Sequence, residues 1–312
     1  MIPGTEVNIM PGLKTWKNNN GFLAVRLHYE SDPRKRDPAW KAGERPRYSQ
    51  WMWDREQEID FGAVGGKKVY DMFDEDVHTI SPRHMPETWT RYRGLDHGLN
   101  NPIAVIWAAV DTEQNVYFYR EYCKNETPIN VASAQIKDKD AGDNIVMTWA
   151  DPSVMQRTGV SADKKCAFDV YAENGVLLTP GNNRLGFEPV YGYLIAALAK
   201  WSVEHEQLHT YFVDTDEGAK HKDEVWKTVK ELARDPACWF THACPTAIEE
   251  HKNLRWKKTT NPEEHNPKEK AVDKDDHFVD AVRYILAAEP RYRTVGKRAT
   301  YARRSSMRKA AY

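Results

Sequence analysis

Four aspartates and a histidine, scattered over the chain, have the types and settings that metal-assisted phosphate chemistry needs. Asp96 lies in Arg93-Gly94-Leu95-Asp96-His97-Gly98, just before an apolar run. Asp151 closes the apolar run Ile145-Val146-Met147-Thr148-Trp149-Ala150. Asp276, His277 and Asp280 lie in Asp275-Asp276-His277-Phe278-Val279-Asp280-Ala281-Val282-Arg283-Tyr284, whose spacing predicts a helix. Hard cations such as Mg2+ and Mn2+ take oxygen ligands, so a site for them is built from Asp and Glu rather than Cys. Two such ions about 4 Å apart activate a water and neutralise the charge that develops on a phosphodiester and its leaving oxygen. In such a site one carboxylate bridges both ions and others hold one each, and Asp96 is the candidate bridge.

Each residue also has an ordinary reading. Asp96 fits a hairpin turn, where aspartate is common. Its neighbours Gly94 and Gly98 would permit close backbone approach of a large ligand. Asp151 precedes Pro152, and an Asp-Pro pair at a strand end starts turns readily. Asp275 and Asp276 fit as capping acids at a helix start. Asp280 does not, because it falls in the second turn beside the apolar stripe. Asp276 and Asp280 share a face at i and i+4, a mildly unfavourable pairing unless a cation lies between them. Asp276, His277 and Asp280 therefore all stand as candidate ligands, with Arg283 as an ion-pair neighbour of Asp280.

Buried strands and helices must bring these groups together. Trp89–Leu95, Ile103–Val110 and Val116–Tyr122 read as three strands joined by short turns, an antiparallel meander; the middle one is apolar throughout, as a central strand would be. Thr127–Lys137 reads as a helix, followed by the Asp151 strand, helices over Ala162–Asn174 and Val190–His205, a strand at Thr210–Val213 and a helix over Glu217–Arg234. Residues 252–257 suggest a short strand. The last helix, Asp275–Ala288, carries apolar residues at 278, 279, 282, 285 and 286 and stops before Pro290. The pattern predicts an α/β fold, a mixed central sheet flanked by helices. Before it, Phe22–Tyr29 reads as a strand, Ser31–Pro46 as a loop and Tyr48–Ile59 as a helix. Residues 1–87 are short of apolar periodicity, and four of the eleven tryptophans (Trp16, Trp40, Trp51, Trp53) fall there, suggesting a packing or docking surface.

The 312 residues suffice for one large domain with an appendage. A net charge of −1 gives no global attraction to nucleic acid, so any must be local. The local candidate is residues 291–312, with eight Lys and Arg and no acid. Arg291, Arg293, Lys297, Arg298, Arg303 and Arg304 are its candidate DNA contacts, in a tail expected to be disordered. The four cysteines show no CxxC spacing, so zinc is not indicated. No apolar run approaches a membrane span and no signal pattern opens the chain, so a cytosolic protein without membrane contact is expected.

Taken in order, Tyr92–Gly98, Trp149–Ser153 and Asp275–Tyr284 resemble the nuclease domain of tailed-bacteriophage terminase large subunits. Leu254–Lys258 fits the same pattern, and Leu27–Tyr29 with Asp32-Pro33 and Asp37–Trp40 is similar to the segment between motor and nuclease in that family. The resemblance implies a ribonuclease H-like fold. It also implies two-ion cleavage of concatemeric viral double-stranded DNA in the cytoplasm of an infected bacterial host, with a packaging ATPase, portal and small terminase subunit as partners. Carried over by position, Asp96, Asp151 and an acid of the last motif (Asp280 or Asp276) would hold two Mg2+ or Mn2+ ions, with His277 as ligand or proton relay. The division implied is 1–87 connector, 88–289 nuclease and 290–312 basic tail. One departure is large: no G-x-x-x-x-G-K-[ST] phosphate-binding loop occurs, and Gly62–Lys68 is not a match. The expectation is a fragment or split-gene product without ATPase activity of its own. Another ribonuclease H-like nuclease, resolvase- or transposase-like, and a non-catalytic packaging-motor adaptor are the competing readings.

Overall fold

The computed structural model describes residues 7–17, 21–59, 66–98, 102–156, 165–182, 185–257, 271–272 and 276–294. Strands β1 (Val7–Met10), β2 (Leu13–Lys17) and β3 (Leu23–Leu27) form a small antiparallel sheet. Short helices α1 (Pro38–Glu44), α2 (Gln50–Glu56) and α3 (Glu75–His78) follow, and α1 packs on a later helix over Lys222–Leu232. The chain then builds a seven-stranded sheet from β4 (Thr79–Ile80), β5 (Thr90–His97), β6 (Ile103–Val110), β7 (Val116–Lys124), β8 (Ile145–Ala150), β9 (Thr179–Pro180) and β10 (Cys238–Thr241). Its helices are α4 (Ile129–Asp140), α5 (Ala167–Glu173), α6 (Glu188–Glu204), α7 (Thr210–Val213), α8 (Asp216–Lys220), α9 (Lys222–Leu232), α10 (Pro245–Asn253) and α11 (His277–Ala287).

The strand order is β4-β10-β7-β6-β5-β8-β9. β5, β6 and β7 run antiparallel as the meander, β8 joins β5 in parallel, and β9 joins β8 in parallel. Numbered along the chain from β5 and read from β7, these five strands stand in the order 3-2-1-4-5, and β10 and β4 extend the sheet beyond β7 in parallel. All eight residues of β6 are buried, as its unbroken apolar run requires of a central strand covered on both faces.

Side chains alternate along β5, so Tyr92, Gly94 and Asp96 share one face and Arg93, Leu95 and His97 the other. The first face meets the larger core, to which α6 contributes Leu194, Ile195 and Leu198 and α11 contributes Phe278, Val282 and Ile285. The second meets a smaller core under α4 and α5, with Trp107, Ile136 and Tyr171. Residues before the meander join the larger core too: Val69, Tyr70, Met72 and Val77 are buried in it, and β4 is an edge strand of the main sheet.

Four expected elements differ. Ser31–Pro46, read as a loop from its Pro and charged residues, contains α1, whose start Asp37 caps by accepting from the Ala39 amide. Residues 252–257, read as a short strand, begin in the last turn of α10 and form only the isolated bridges Arg255 to Lys68 and Trp256 to Ala271. Thr210–Val213, read as a strand from its β-branched and aromatic side chains, is a single helical turn in which the His209 ring accepts from the Tyr211 amide. Strand propensity is weak and yields to tertiary context. The long helix expected over Glu217–Arg234 is broken at His221 into α8 and α9. The tail expected to be disordered begins differently as well. The Arg293 amide donates to the Thr90 hydroxyl at 2.7 Å, and the Arg291 carbonyl accepts from the Tyr92 hydroxyl at 2.7 Å. Residues 291–293 are thus tied to the start of β5. Lys297, Arg298, Arg303 and Arg304 lie outside the described residues, as do Gly62–Gly65 and Lys258.

Candidate active site

Sheet register places two of the aspartates side by side. Leu95 on β5 pairs with Ala150 on β8, so Asp96 and Asp151, the next residues, stand at the C-terminal ends of adjacent parallel strands. Asp96 is inside β5, paired with Ala104, which removes the hairpin-turn reading. Asp151 does start a turn, its Oδ1 accepting from the Ser153 amide at 2.5 Å, yet its Oδ2 faces the other way, toward α11.

Helix α11 lies across β5, β6 and β8 and supplies the rest of the site. A close approach makes this possible: a Cβ on Gly94 would fall 2.0 Å from the Ala281 carbonyl oxygen. Gly94 therefore admits a helix rather than the large ligand suggested by its place beside Asp96. All five apolar positions anticipated on α11 are buried, which turns His277, Asp280 and Tyr284, spaced at about one and two turns, toward the strand ends.

His277 Nδ1 lies 2.9 Å from Asp96 Oδ2. The Tyr284 hydroxyl donates to Asp151 Oδ2 at 2.6 Å and stands 3.4 Å from Asp280 Oδ2. Arg283 Nη2 meets Asp280 Oδ1 at 2.9 Å. Asp276 is the N-cap residue of α11, but its side chain makes no capping hydrogen bond. That role belongs to Glu250 on α10, whose Oε2 accepts from the Phe278 amide at 2.6 Å and the Val279 amide at 3.3 Å.

Electrostatics show how crowded the group is. Burial pushes the Asp280 carboxyl up to about 7; Arg283 opposes the shift, while Asp96, Asp276 and Asp151 add to it. A paired aspartate would normally titrate low, so here burial and three like charges outweigh the guanidinium. Burial likewise raises Glu250 to about 7 against the pull of its two amide donors. The hydrogen bond to Asp96 raises the His277 imidazole, favouring its charged form. Asp96, Asp151, Asp276, Asp280 and His277 are thus one interacting set. His97 is not part of it: it lies on the opposite face of β5, with Nδ1 3.1 Å from the Tyr171 hydroxyl. Arg291 and Arg293 sit at the other end of β5 from Asp96.

Tyr284 and Glu250 were not singled out from the sequence. Tyr284 follows Asp280 by four residues, so the face rule applied to the aspartates would have found it. Glu250 reaches α11 from another helix and leaves no local signal.

The donor set fits a hard divalent cation: several carboxylates, half-buried, carry more negative charge than Arg283 and His277 offset. Their present arrangement is not a closed ligand cage. Among the described residues no group of three His, Cys, Asp or Glu side chains is gathered closely enough to hold an ion.

Comparison with solved structures gives the architecture a precedent. The large terminase of the thermophilic bacteriophage D6E, in two crystal forms, superposes with TM-scores of 0.53 and 0.54 at 16% identity, over 79% of this chain. The likeness is one of fold. This chain spans about half the length of those terminases, 51% and 50%. The nuclease domain of the P22 large terminase matches over 74% of this chain and 96% of its own, at 15% identity and a TM-score of 0.46, too low to add to the argument. No protein-family model and no curated protein matches the sequence. No helix among the described residues is long and apolar enough to cross a membrane.

Proposed function

We propose that this chain is a metal-dependent DNA endonuclease, the cutting module of a viral genome-packaging machine. The observation that carries it is the meeting of Asp96 and Asp151, on adjacent strand ends, with Asp280 on α11, whose carboxyl burial, helped by those neighbouring carboxylates, raises to about 7. The terminase-like fold supports the same reading. Asp96, Asp151 and Asp280, with Asp276 as a further candidate, would hold Mg2+ or Mn2+, two ions per site.

The bound ions would supply the activated water and the charge neutralisation that phosphodiester hydrolysis needs. The chain's own residues do the rest. His277, whose charged form Asp96 favours, positions the Asp96 carboxylate through Oδ2. Tyr284 orients Asp151. Glu250 anchors the first turn of α11 and so sets where His277 and Asp280 stand. The substrate in this reading is concatemeric double-stranded DNA, gripped through its phosphates and cut without strong sequence preference. Residues 88–289 would cut, residues 1–87 would connect to a packaging ATPase, and the basic residues 290–312 would contact DNA; a portal and a small terminase subunit complete the expected assembly.

Plasmid nicking and linearisation with Mn2+, Mg2+ or EDTA tests the proposal. Wild type should cut with either metal and stop with EDTA, and Asp96→Ala should cut no faster than the EDTA control. Cutting that survives Asp96→Ala would refute it. Preference for four-way junctions over linear duplex would move the assignment to a resolvase-like enzyme.

A further inference from the structure

Three carboxylates of the site are held by side chains of one helix. Asp96 is engaged by His277, Asp151 by Tyr284, and Asp280 by both Arg283 and Tyr284. Arg283 is the one permanently charged cation in this set. It is 12% exposed at the side chain, while Asp280 is 26% exposed. The other fixtures of its guanidinium are soft. It stacks 5.2 Å from the Phe187 ring and 5.5 Å from the Tyr284 ring, and its Nε is buried with no hydrogen-bond partner among the described residues. Such cation–π contacts hold a guanidinium in a plane without fixing it to a network. Arg93 on the opposite face of the sheet shows the alternative, locked by Asp140 and the Thr148 hydroxyl. Besides Asp280, its guanidinium interacts with the side chain of Tyr284, a neighbour on the same helix.

We propose that Arg283 is a resident counter-ion, balancing the carboxylates in the metal-free protein and competing with the divalent cation for Asp280, while Tyr284 holds Asp151 and Asp280 in the same closed arrangement. This rests on the metal-dependent reading above and deepens it. It accounts for a site whose donors suit a hard cation but whose oxygens are not gathered around one position. Arg283 and Tyr284 are positioning residues: they act on the carboxylates and set how readily the site accepts metal. The consequence runs in two directions. Arg283 stabilises the protein without metal and weakens its affinity for metal.

Both directions can be read without measuring cutting. Mn2+ affinity is measured by isothermal titration, and thermal unfolding is followed in EDTA and in Mn2+, on the full chain. Arg283→Gln should melt lower in EDTA, gain more from Mn2+ than wild type, and bind Mn2+ about tenfold more tightly, the factor that corresponds to about 1.4 kcal/mol. Arg283→Lys keeps the charge and should restore wild-type melting and affinity. Tyr284→Phe, which keeps the ring and removes the hydroxyl, should tighten Mn2+ binding by a smaller factor and serves where Arg283→Gln does not fold. Equal or weaker Mn2+ binding by both Arg283→Gln and Tyr284→Phe, with wild type binding in a manner abolished by Asp96→Ala, would overturn this inference alone. Absence of Mn2+ binding by wild type would overturn it together with the metal-dependent reading.

Discussion

Two carboxylate groups lie on opposite faces of the same sheet, and their surroundings differ. Under α4, Asp140 accepts from Arg93 Nη1 at 3.0 Å and from the Trp107 indole at 2.8 Å. Asp143 beside it accepts from the Tyr119 hydroxyl at 2.8 Å and Arg120 Nη1 at 3.0 Å, with Arg91 Nε 3.5 Å away. Two carboxylates there face three arginines. Across the sheet, Asp96, Asp151, Asp276 and Asp280 share Arg283 and His277, and Asp280 is pushed up to about 7. The first group is fully compensated and fastens a helix to the sheet. The second keeps an excess of negative charge that costs stability unless something else repays it, which is how ligand-binding sites differ from structural ion pairs.

The comparison predicts that damage to the two groups separates activity from stability. The largest effect should come from Gly94→Ala, because the new Cβ meets a backbone oxygen at 2.0 Å and α11 must move off β5. Cutting should be lost and the urea midpoint lowered together; a variant that cuts normally would show that the spacing of α11 and β5 does not matter. Next, Asp140→Ala should cost about 3–5 kcal/mol in urea unfolding, since Arg93 is left buried and uncompensated. Its cutting per folded molecule should be unchanged, and a loss of cutting out of proportion to folding would erase the contrast.

Any pH test must allow for a background from the larger core. His251 is buried between Tyr70 and Phe240, and burial lowers its imidazole to about 4. The unfolded histidine takes up its proton near 6.5 and the folded one only near 4, so between those values the unfolded state binds more protons. Stability from this group is full above about pH 6.5 and falls on acidification toward 4, by up to about 3 kcal/mol. His251→Phe should flatten that part of the profile in urea titrations from pH 4 to 7; an unchanged slope would show that another group carries it.

Much of this arrangement is legible in the sequence. Weak alternation marked β5, apolar or aromatic runs marked β6, β7 and β8, a 3.6-residue period marked α11, and Asp96, Asp151, Asp276, His277 and Asp280 are brought together by those elements. What escaped had a physical reason. β9 and β10 are two and four residues long, too short for any period to show. Glu250 caps α11 through space from α10, a contact with no spacing rule behind it. Gly94 was legible as a close approach but not as to what approaches. Charge balance was hidden as well, because the Arg-X-Arg of β5 and the Asp-Ala-Val-Arg of α11 look alike as mixed-charge sequence until burial decides which charges are shared.

The central claim is that the group at Asp96 and Asp151 does chemistry whereas the group at Asp140 holds the fold. One crossed measurement addresses it: Mn2+-dependent plasmid cutting and melting temperature in EDTA, for Asp151→Asn and Asp140→Asn side by side. The account predicts that Asp151→Asn abolishes cutting while melting at or above the wild-type temperature, and that Asp140→Asn melts lower while cutting normally per folded molecule. Cutting retained by Asp151→Asn and lost by Asp140→Asn would contradict it.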